Sequence, residues 1–550
     1  MGKKKIFLLC LIFFCIISCF GQMRINGWTT HAPGLKVINV EKVHDRIYAA
    51  TPYELFYYDT KDNSINKLSK VNALSDFGIN VMRYNPKTDM IFVGYSNANI
   101  DIIDKNGKVI NINDIKNKNI LGNKSINDVY FIDNKVYVCC GFGIVLIDLS
   151  RMEVKDTYVI GDNGTYLNVN DITLYDGKLY AATTNGVYYA DYNSNNLADF
   201  SQWTLDTTLI HSSLNYSEIE VFNNRLLANY TRNKYGTDTL FVYDGEKWDY
   251  YPIANYSIKR DIKAQDDRLL LSTQYATSVY DLNNELLLHY DNNVEPYDCV
   301  YDKEINSYWV GDGRNSLMKI HASWAVEYII FDGPYANSAF EMKARGDQLW
   351  VAPGGYSSTW AKNWMRNGVF CYTNNEWHNI NESNTAAFDT ISDVVSVAID
   401  PINESKVYVG SYHKGILEFE NLELKNIYDD KNSSLGKLMG YDYVYVTGMD
   451  FDSRNNLWVA NSGAENMLSV KTAKNEWYSF NIGAGNTSRI MVDHNDYKWI
   501  LHRDGNFIVY NDNKTISDNY DDKYKIITNV AGQGGLPAAA NCMAVDHNGT

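Results

Sequence analysis

Residues 45–51 read DRIYAAT, and ten later stretches repeat the same short pattern. In most copies a turn-forming residue precedes an aliphatic residue, then an aromatic residue or leucine, then a further aliphatic residue or alanine. The later copies occupy residues 89–95, 134–140, 177–183, 224–230, 267–273, 306–312, 347–353, 405–411, 455–461 and 496–502. Such recurrence of one strand-like pattern predicts a repeat fold.

The spacing of the copies indicates which repeat fold this is. Measured between their aromatic or leucine positions, the smallest step is 39 residues, from 270 to 309, and the largest is 58 residues, from 350 to 408. Many copies are followed by a second apolar strand ending in aspartate, such as Leu55–Asp59 and Val187–Asp191, after hairpin residues such as Asn185 and Gly186. This length is typical of a four-stranded propeller blade, whereas an irregular β-sandwich does not predict one pattern at blade spacing. The sequence therefore predicts an all-β fold of tandem β-propellers.

The number of repeats predicts two rings, because one propeller closes with about four to eight blades. We assign residues 22–322 to a first propeller of seven four-stranded blades and residues 323–550 to a second propeller, with the boundary near Ala322. Ala544–Thr550 begins the same phrase as Met491–Trp499. We therefore expect the second propeller to be truncated within its fifth unit and the natural chain to continue past Thr550, since a half-blade would leave an open sheet edge.

The N-terminus has the features of an export signal. Three lysines, Lys3 to Lys5, precede an apolar run from Ile6 to Ile17 and a small-residue region that ends near Gly21. This run is too short for a transmembrane helix and favours a Sec-type signal peptide over residues 1–21. A lipoprotein signal with Cys19 as the lipidated residue is the alternative. The mature sequence contains no later apolar stretch of membrane-spanning length.

Composition and motifs argue against several classes of function. A net charge of -16 argues against a nucleic-acid partner. The sequence has no zinc-protease, phosphate-loop or dinucleotide-binding motif, so we expect a non-enzymatic protein without cofactors or catalytic residues. We expect no metal site either: His494 and His547 occupy equivalent turns of two repeats, and Asp104–Gly107 is a tight turn without the spacing of a calcium loop.

Local clusters give two further expectations. The basic residues Lys259, Arg260 and Lys263 are interpreted as a solvated face. The adjacent Cys139 and Cys140 lie in one predicted strand, so their side chains should be buried on opposite faces of it.

The clearest irregularity is an insertion after the eighth copy, from Pro353 to Gly368. We predict that it forms a ligand-binding or partner-binding loop through four aromatic and basic side chains, Trp360, Lys362, Trp364 and Arg366. The alternative is that the insertion packs between the two rings.

Several stretches resemble the N-terminal propeller region of the PorZ family, a component of the type IX secretion system of Bacteroidota. They are WTTHAPGLKV (Trp28–Val37), RIYAATPYELFYYD (Arg46–Asp59), GYSNANIDIID (Gly94–Asp104) and KSINDVYFIDNKVYVCCGFGIVLIDL (Lys124–Leu149). The resemblance is strongest from Trp28 to about Asp191 and covers the rest of the chain only as repeats.

The resemblance implies a non-catalytic scaffold at the cell surface or in the periplasm. It implies two partners, a PorU-like sortase of the attachment complex and anionic lipopolysaccharide, which the protein would present for attachment to secreted cargo. The alternative is the periplasmic propeller sensor region of a hybrid two-component regulator, whose blades follow nearly the same pattern. A secreted propeller enzyme is a third class, although the glycosidase carboxylates that it would need are not identified by any motif here.

Overall fold

The computed structural model describes residues 27–232, 238–253, 257–483, 485–528 and 540–545. Over these ranges the chain forms 44 β-strands, and helix is limited to α1 (Asp114–Asn117) and three 3₁₀ segments, Asp162–Gly164, Phe200–Gln202 and Ala386–Asp389. Every helix within them is too short or too polar to span a bilayer. The export signal predicted at residues 1–21, like His547, lies outside the described residues.

The first seven sheets are antiparallel meanders of four consecutive strands. The first three contain β1 (Asn39–Val43), β2 (Arg46–Ala50), β3 (Leu55–Asp59) and β4 (Ile65–Leu68); β5 (Ile79–Asn85), β6 (Met90–Tyr95), β7 (Ile100–Ile103) and β8 (Val109–Ile112); and β9 (Ile126–Ile132), β10 (Lys135–Cys140), β11 (Gly143–Asp148) and β12 (Glu153–Tyr158). The fourth and fifth contain β13 (Val169–Tyr175), β14 (Lys178–Thr183), β15 (Gly186–Asp191) and β16 (Thr204–Leu205); and β17 (Tyr216–Phe222), β18 (Arg225–Tyr230), β19 (Thr239–Tyr243) and β20 (Trp248–Tyr250). The sixth and seventh contain β21 (Lys259–Gln265), β22 (Arg268–Thr273), β23 (Thr277–Asp281) and β24 (Leu286–Tyr290); and β25 (Pro296–Asp302), β26 (Ser307–Asp312), β27 (Ser316–His321) and β28 (Val326–Ile329).

Four more four-stranded units follow in the described part of the chain. They contain β29 (Glu341–Arg345), β30 (Gln348–Ala352), β31 (Val369–Thr373) and β32 (Glu376–Ile380); β33 (Val394–Ile399), β34 (Lys406–His413), β35 (Gly415–Glu420) and β36 (Glu423–Tyr428); β37 (Val444–Phe451), β38 (Leu457–Ser462), β39 (Leu468–Lys471) and β40 (Trp477–Phe480); and β41 (Thr487–Val492), β42 (Lys498–His502), β43 (Phe507–Asn511) and β44 (Lys523–Ile527). The ninth and tenth units are joined where the end of β34 pairs with β37, Tyr412 opposite Tyr445.

Each copy of the sequence pattern forms the second strand of one unit. Its leading asparagine or aspartate lies in the turn before that strand, commonly with positive φ, as at Asn306 (φ 47°) and Asn455 (φ 62°). Asparagine and aspartate tolerate this conformation better than bulkier residues, which explains why they begin the pattern. The apolar residues that follow are buried, as in Leu457–Ser462.

The first seven sheets close into a ring around their first strands. The Val40 backbone N–H of β1 donates to Asp298 Oδ2 of β25 at 2.9 Å, which joins the first sheet to the seventh. Behind this contact, Val40 and Phe56 of the first sheet share a buried core with Trp309 and Leu317 of the seventh. The fold class predicted from the repeats, tandem β-propellers with seven blades in the first, is confirmed.

The boundary between the two propellers stays a prediction. The proposed position near Ala322 falls in the turn between β27 and β28, which pair through Ile320 and Val326 in the seventh sheet. A division after Ile329 would leave that sheet whole. The truncation of the second propeller also stays a prediction.

The cysteine prediction is confirmed. Cys139 and Cys140 are both fully buried in β10. Cys140 packs in the core between the second and third sheets, and Cys139 in the core between the third and fourth. Burial raises the pKa of both thiols, so they behave as small apolar side chains.

Candidate functional site

The insertion after the eighth copy of the pattern forms the connection between β30 and β31, and we call residues 353–368 the Trp360 loop. It folds back across the neighbouring ninth sheet. Gly354 N–H donates to the Val394 carbonyl at 2.7 Å, and the Asp393 carboxylate accepts the N–H groups of Trp364 and Met365, each at 2.9 Å. Asp393 is fully buried, so these bonds hold the second half of the loop in place.

The loop holds two tryptophans in an unusual backbone conformation. Trp360 has φ 63° and Trp364 has φ 59°. Bulky residues adopt positive φ rarely and at a cost of about 1–3 kcal/mol each, so the surrounding contacts must compensate for the strain. Part of that compensation is a tight turn in which Ser357 N–H donates to the Ala361 carbonyl, and Trp360 N–H to the Ser357 carbonyl, each at 2.9 Å.

The loop lies against a continuous row of aromatic rings. Trp360 contacts Tyr356 at 4.7 Å between ring centroids, and Tyr356 contacts Tyr412 at 4.9 Å. Tyr412 stacks on Tyr445 at 3.9 Å, and Tyr445 lies nearly parallel to Tyr443 at 6.1 Å. The row therefore crosses from the Trp360 loop to the start of β37.

The row continues to the solvent. Tyr443 lies 6.0 Å from Tyr441 with an interplanar angle of 12°, and Trp364 contacts both Tyr443 and His413. Tyr441 and Trp364 are more than half exposed. Exposed flat rings at the end of an ordered row are suited to stacking against a ligand.

Cations accompany the rings. Lys362 Nζ lies 3.1 Å from the centroid of Tyr443 and 3.7 Å from that of Trp364, and within the described residues this buried nitrogen has no hydrogen-bond partner. The Arg503 guanidinium lies over Trp360 at 4.7 Å and donates to the Tyr412 hydroxyl, which itself donates to the Trp360 carbonyl at 3.0 Å. Cation-π contacts of this kind hold both charges beside the rings.

Burial and neighbouring charge change the titration of two groups. Burial, together with the positive charges of Lys362, Lys414 and Arg366, lowers the pKa of His413 to about 4. Burial lowers the pKa of Lys362 to about 8, with Lys414 contributing and Asp393 opposing. An anion bound here would relieve the repulsion among these cations and raise both pKa values.

The structure places the four predicted residues in two connected positions. Lys362 and Trp364 lie together against Tyr443, and Arg366 is exposed and close enough to His413 to lower its pKa. Trp360 lies at the other end of the aromatic row, beside Arg503. We call this set the aromatic-basic surface: Tyr356, Trp360, Lys362, Trp364, Arg366, Tyr412, His413, Tyr441, Tyr443, Tyr445 and Arg503.

Sequence reasoning missed seven members of that surface. One signal was present for three of them, because residues 441–445 read YDYVY and strict alternation puts the tyrosines on one face of an extended segment. Tyr412 and Arg503 carry no comparable signal. The contacts of the insertion described above are with units of the second propeller. They give no support to the alternative that the insertion packs between the two rings.

The interpretation of Lys259, Arg260 and Lys263 as a solvated face is wrong. Lys259 is buried, and the other two side chains form ion pairs, Arg260 with Glu295 at 2.7 Å and Lys263 with Asp298 at 2.7 Å. These residues fall in β21, the first strand of the sixth sheet, and the ion-pair partners Glu295 and Asp298 lie just before and within β25, the first strand of the seventh sheet. By contrast, Asp104–Gly107 is the tight turn that we predicted, with Gly107 N–H donating to the Asp104 carbonyl at 2.8 Å.

The comparison with family models bears on the first ring. Residues 47–204 match the PorZ N-terminal β-propeller domain of the type IX secretion system. The predicted resemblance to PorZ is confirmed. The match covers the second strand of the first sheet through to the end of the fourth sheet, the region in which the resemblance in sequence is strongest.

One solved structure shows similarity in fold along most of the chain. PorZ, a surface component of the type IX secretion system of Porphyromonas gingivalis, superposes with a TM-score of 0.80 at 19% identity and covers 95% of this chain and 71% of that one. The extracellular domain of a putative hybrid two-component system of B. thetaiotaomicron gives a TM-score of 0.41 at 15% identity, covering 96% and 75% of the two chains. No curated protein matches the sequence.

Proposed function

We propose that this chain is an exported, non-catalytic propeller scaffold of a type IX secretion system, acting at the cell surface or in the periplasm. The observation that carries the proposal is the match of residues 47–204 to the PorZ N-terminal propeller domain. The similarity in fold to PorZ extends over the second set of sheets as well. Export would use the N-terminal signal, with cleavage near Gly21 or lipidation at Cys19.

The partners we propose are a PorU-like sortase of the attachment complex and anionic lipopolysaccharide. The aromatic-basic surface supports the second of these. Exposed rings such as Trp364 and Tyr441 offer flat apolar faces for sugar rings. Lys362 and Arg366 supply positive charge beside them, which matters in a protein of net charge -16 because an anion must bind at a local cationic site.

Presentation rather than chemistry is the role that these side chains suit. The surface consists of rings, cations and a histidine whose lowered pKa keeps it neutral near pH 7. A neutral His413 beside Lys362 and Arg366 adds no charge of its own, so the surface would hold an anionic glycan by stacking and by the charges of Lys362, Arg366 and Arg503. The sortase contact is proposed for the scaffold as a whole.

An affinity purification from the native cell envelope tests the secretion role. The tagged full-length protein should recover type IX secretion components together with lipopolysaccharide, whereas an untagged strain provides the background. Recovery of neither would contradict the proposal. Recovery of two-component signalling proteins in their place would favour the sensor alternative.

Replacing Trp364 by alanine should weaken binding of purified anionic lipopolysaccharide by about 2 kcal/mol, or roughly thirtyfold in Kd, as expected when an exposed ring at a recognition site is removed. The affinity should be lost through sugar stacking and not through a change in the loop. The hydrogen bonds from the loop backbone to Asp393 do not depend on the indole, so the loop should keep its conformation. Surface plasmon resonance with immobilised lipopolysaccharide measures the change.

The matched control is Trp324→Ala. Trp324 is 53% exposed and has φ 68°, against 54% exposure and φ 59° for Trp364, but it lies in the turn between β27 and β28. It should leave binding unchanged. Equal losses in both variants, or no loss in Trp364→Ala with its fold intact, would remove the aromatic-basic surface from the proposed function.

A further inference from the structure

The first ring encloses a cavity among its first strands that the proposed function does not use. Its volume is about 670 Å³, within the range of small-molecule sites. The more exposed wall includes three aromatic rings, Tyr53, Phe77 and Tyr297. The inner wall is charged and includes Arg83, Asp128, Glu218 and Asp261. We call this the axial cavity.

Carboxylates outnumber cations in the buried cluster that includes Arg83, Asp128, Glu218 and Asp261 of the inner wall. Arg83 forms ion pairs with Asp128 at 2.8 Å, Asp261 at 3.0 Å and Asp298 at 3.3 Å. Lys263 pairs with Asp298 at 2.7 Å and with Glu41 at 3.6 Å. Three more carboxylates influence the same cluster electrostatically, and they are Asp171, Glu218 and Glu220. Seven carboxylates therefore share two cations in this part of the described chain.

One carboxylate oxygen of this cluster has no partner. Asp261 is 5% exposed, and its Oδ1 accepts a hydrogen bond from Arg83 at 3.0 Å. Among the described residues no donor lies within hydrogen-bond distance of its buried Oδ2. A buried acceptor without a donor is destabilising, and more so when the group is charged. Asp261 also lines the axial cavity, so its carboxylate need only turn toward the cavity for a ligand there to supply the missing donor.

The positive charges at the rim of the cavity repel a cationic ligand less than unpaired charges would. Arg260 lines the rim, but its guanidinium is paired with Glu295 at 2.7 Å and lies over Tyr297 at 4.0 Å. Lys36 lies over the same ring at 4.9 Å. Both charges are thus already engaged, as is that of Lys70, which lies over the Phe77 ring at 4.9 Å, and the remaining ring surface suits the methylene groups of a ligand.

We propose that the axial cavity binds a small organic cation that carries primary ammonium groups on an aliphatic chain, as polyamines do. Its ammonium groups would donate to Asp261 Oδ2 and to the Asp128 and Glu218 carboxylates, and its methylenes would lie along Tyr53, Phe77 and Tyr297. An ammonium group donates up to three hydrogen bonds, which suits carboxylates contributed by separate strands. Within the described ranges no group of three or more His, Cys, Asp or Glu side chains is arranged to hold a metal ion.

The titration of the cluster gives an independent readout. Burial and neighbouring carboxylates raise the pKa of Asp261 to about 7 and that of Asp171 to about 8, and burial also raises that of Glu218. A bound cation would lower these values and release protons, so affinity should increase as the pH rises from 6 to 8.5. The charged groups that interact with Asp261 from the surrounding strands are Arg83, Asp128, Glu218, Glu220, Lys263 and Asp298.

Isothermal titration of the full chain with spermidine at low salt tests the proposal. We expect saturable binding that Asp261→Asn weakens by about tenfold, since a charge-assisted hydrogen bond is replaced by a neutral one. Glu218 lines the same cavity, so Glu218→Gln should weaken binding similarly. This second variant keeps the test decisive if Asp261→Asn does not fold. Asp450→Asn changes a half-buried first-strand carboxylate of the second propeller and should have no effect.

The outcomes separate the alternatives. Absence of spermidine binding to the wild type, or equal affinities in the wild type and Glu218→Gln, would overturn the proposal. Saturable calcium binding that Asp261→Asn abolishes, with no spermidine binding, would replace it by a metal site. These results do not depend on the lipopolysaccharide measurements, because the two sites lie on different propellers.

Discussion

Gly186→Ala should destabilise the fourth sheet by about 2–5 kcal/mol, because it combines backbone strain with a steric clash. Gly186 begins β15 with φ 102°, outside the conformations that residues with a Cβ adopt readily. A Cβ built at this position would overlap the Ser212 carbonyl oxygen and the Leu205 side chain. The Gly186 N–H also donates to the Leu214 carbonyl at 2.7 Å, so the strand cannot move aside without losing that bond.

The matched control lies on the preceding hairpin of the same sheet. Gly177 has φ 73°, and a Cβ there would have no atom within 4 Å, so Gly177→Ala should cost only about 1–2 kcal/mol for the left-handed backbone. Thermal unfolding and hydrogen exchange of the β15 amides measure the difference. Similar protection of β15 in the two variants would show that the approach of Ser212 to Gly186 is relaxed in solution.

The repeat pattern predicted the fold well because a propeller blade is a local structure. Each copy forms a second strand whose hydrogen-bond partners are its sequence neighbours, so turn chemistry and alternation are sufficient to identify it. The eighth copy shows this, because its Trp350 is buried in a second strand even though the Trp360 loop follows directly. After this insertion of 16 residues, from Pro353 to Gly368, the next copy of the pattern again forms a second strand. The pattern does not contain the position of one blade relative to the next. The closure of the ring between Val40 and Asp298 therefore could not be predicted from it.

In the candidate site, too, the sequence predicted the residues of one local segment but not their partners from other units. Trp360, Lys362, Trp364 and Arg366 could be selected because they stand out within one insertion. Their partners Tyr412 and Arg503 come from two other units, and their approach depends on stacking of blades. The excess of carboxylates on the axis of the first ring was missed for a related reason, since each first strand contributes only one or two acids, such as Glu218 and Asp261, among 66 in the sequence.

Asp512→Ala should destabilise the eleventh unit by about 3–5 kcal/mol, because it leaves a buried lysine without its counter-ion. Lys498 Nζ lies 2.6 Å from Asp512 Oδ1, and both side chains are essentially inaccessible to solvent. Arg454 contacts the other carboxylate oxygen at 2.5 Å. Burial alone would raise the pKa of Asp512, but the hydrogen bonds and charges of Lys498 and Arg454 lower it. This stabilisation is present above the ordinary aspartate pKa and is lost as the pH falls through the lowered value in the folded state.

Two comparisons show whether burial of the charge, rather than loss of a contact, causes the effect. Glu423→Ala removes an exposed ion pair with Lys425 and should leave stability nearly unchanged. The double variant Asp512→Ala with Lys498→Met should recover much of the loss, because it removes the unpaired charge and keeps an unbranched apolar chain against the Trp458 ring, over which Lys498 Nζ lies at 4.1 Å. Urea unfolding with hydrogen exchange of the β42 amides measures all three. A double variant as unstable as Asp512→Ala would mean that the Asp512 contacts themselves, including the one with Arg454, hold β42 and β43 together.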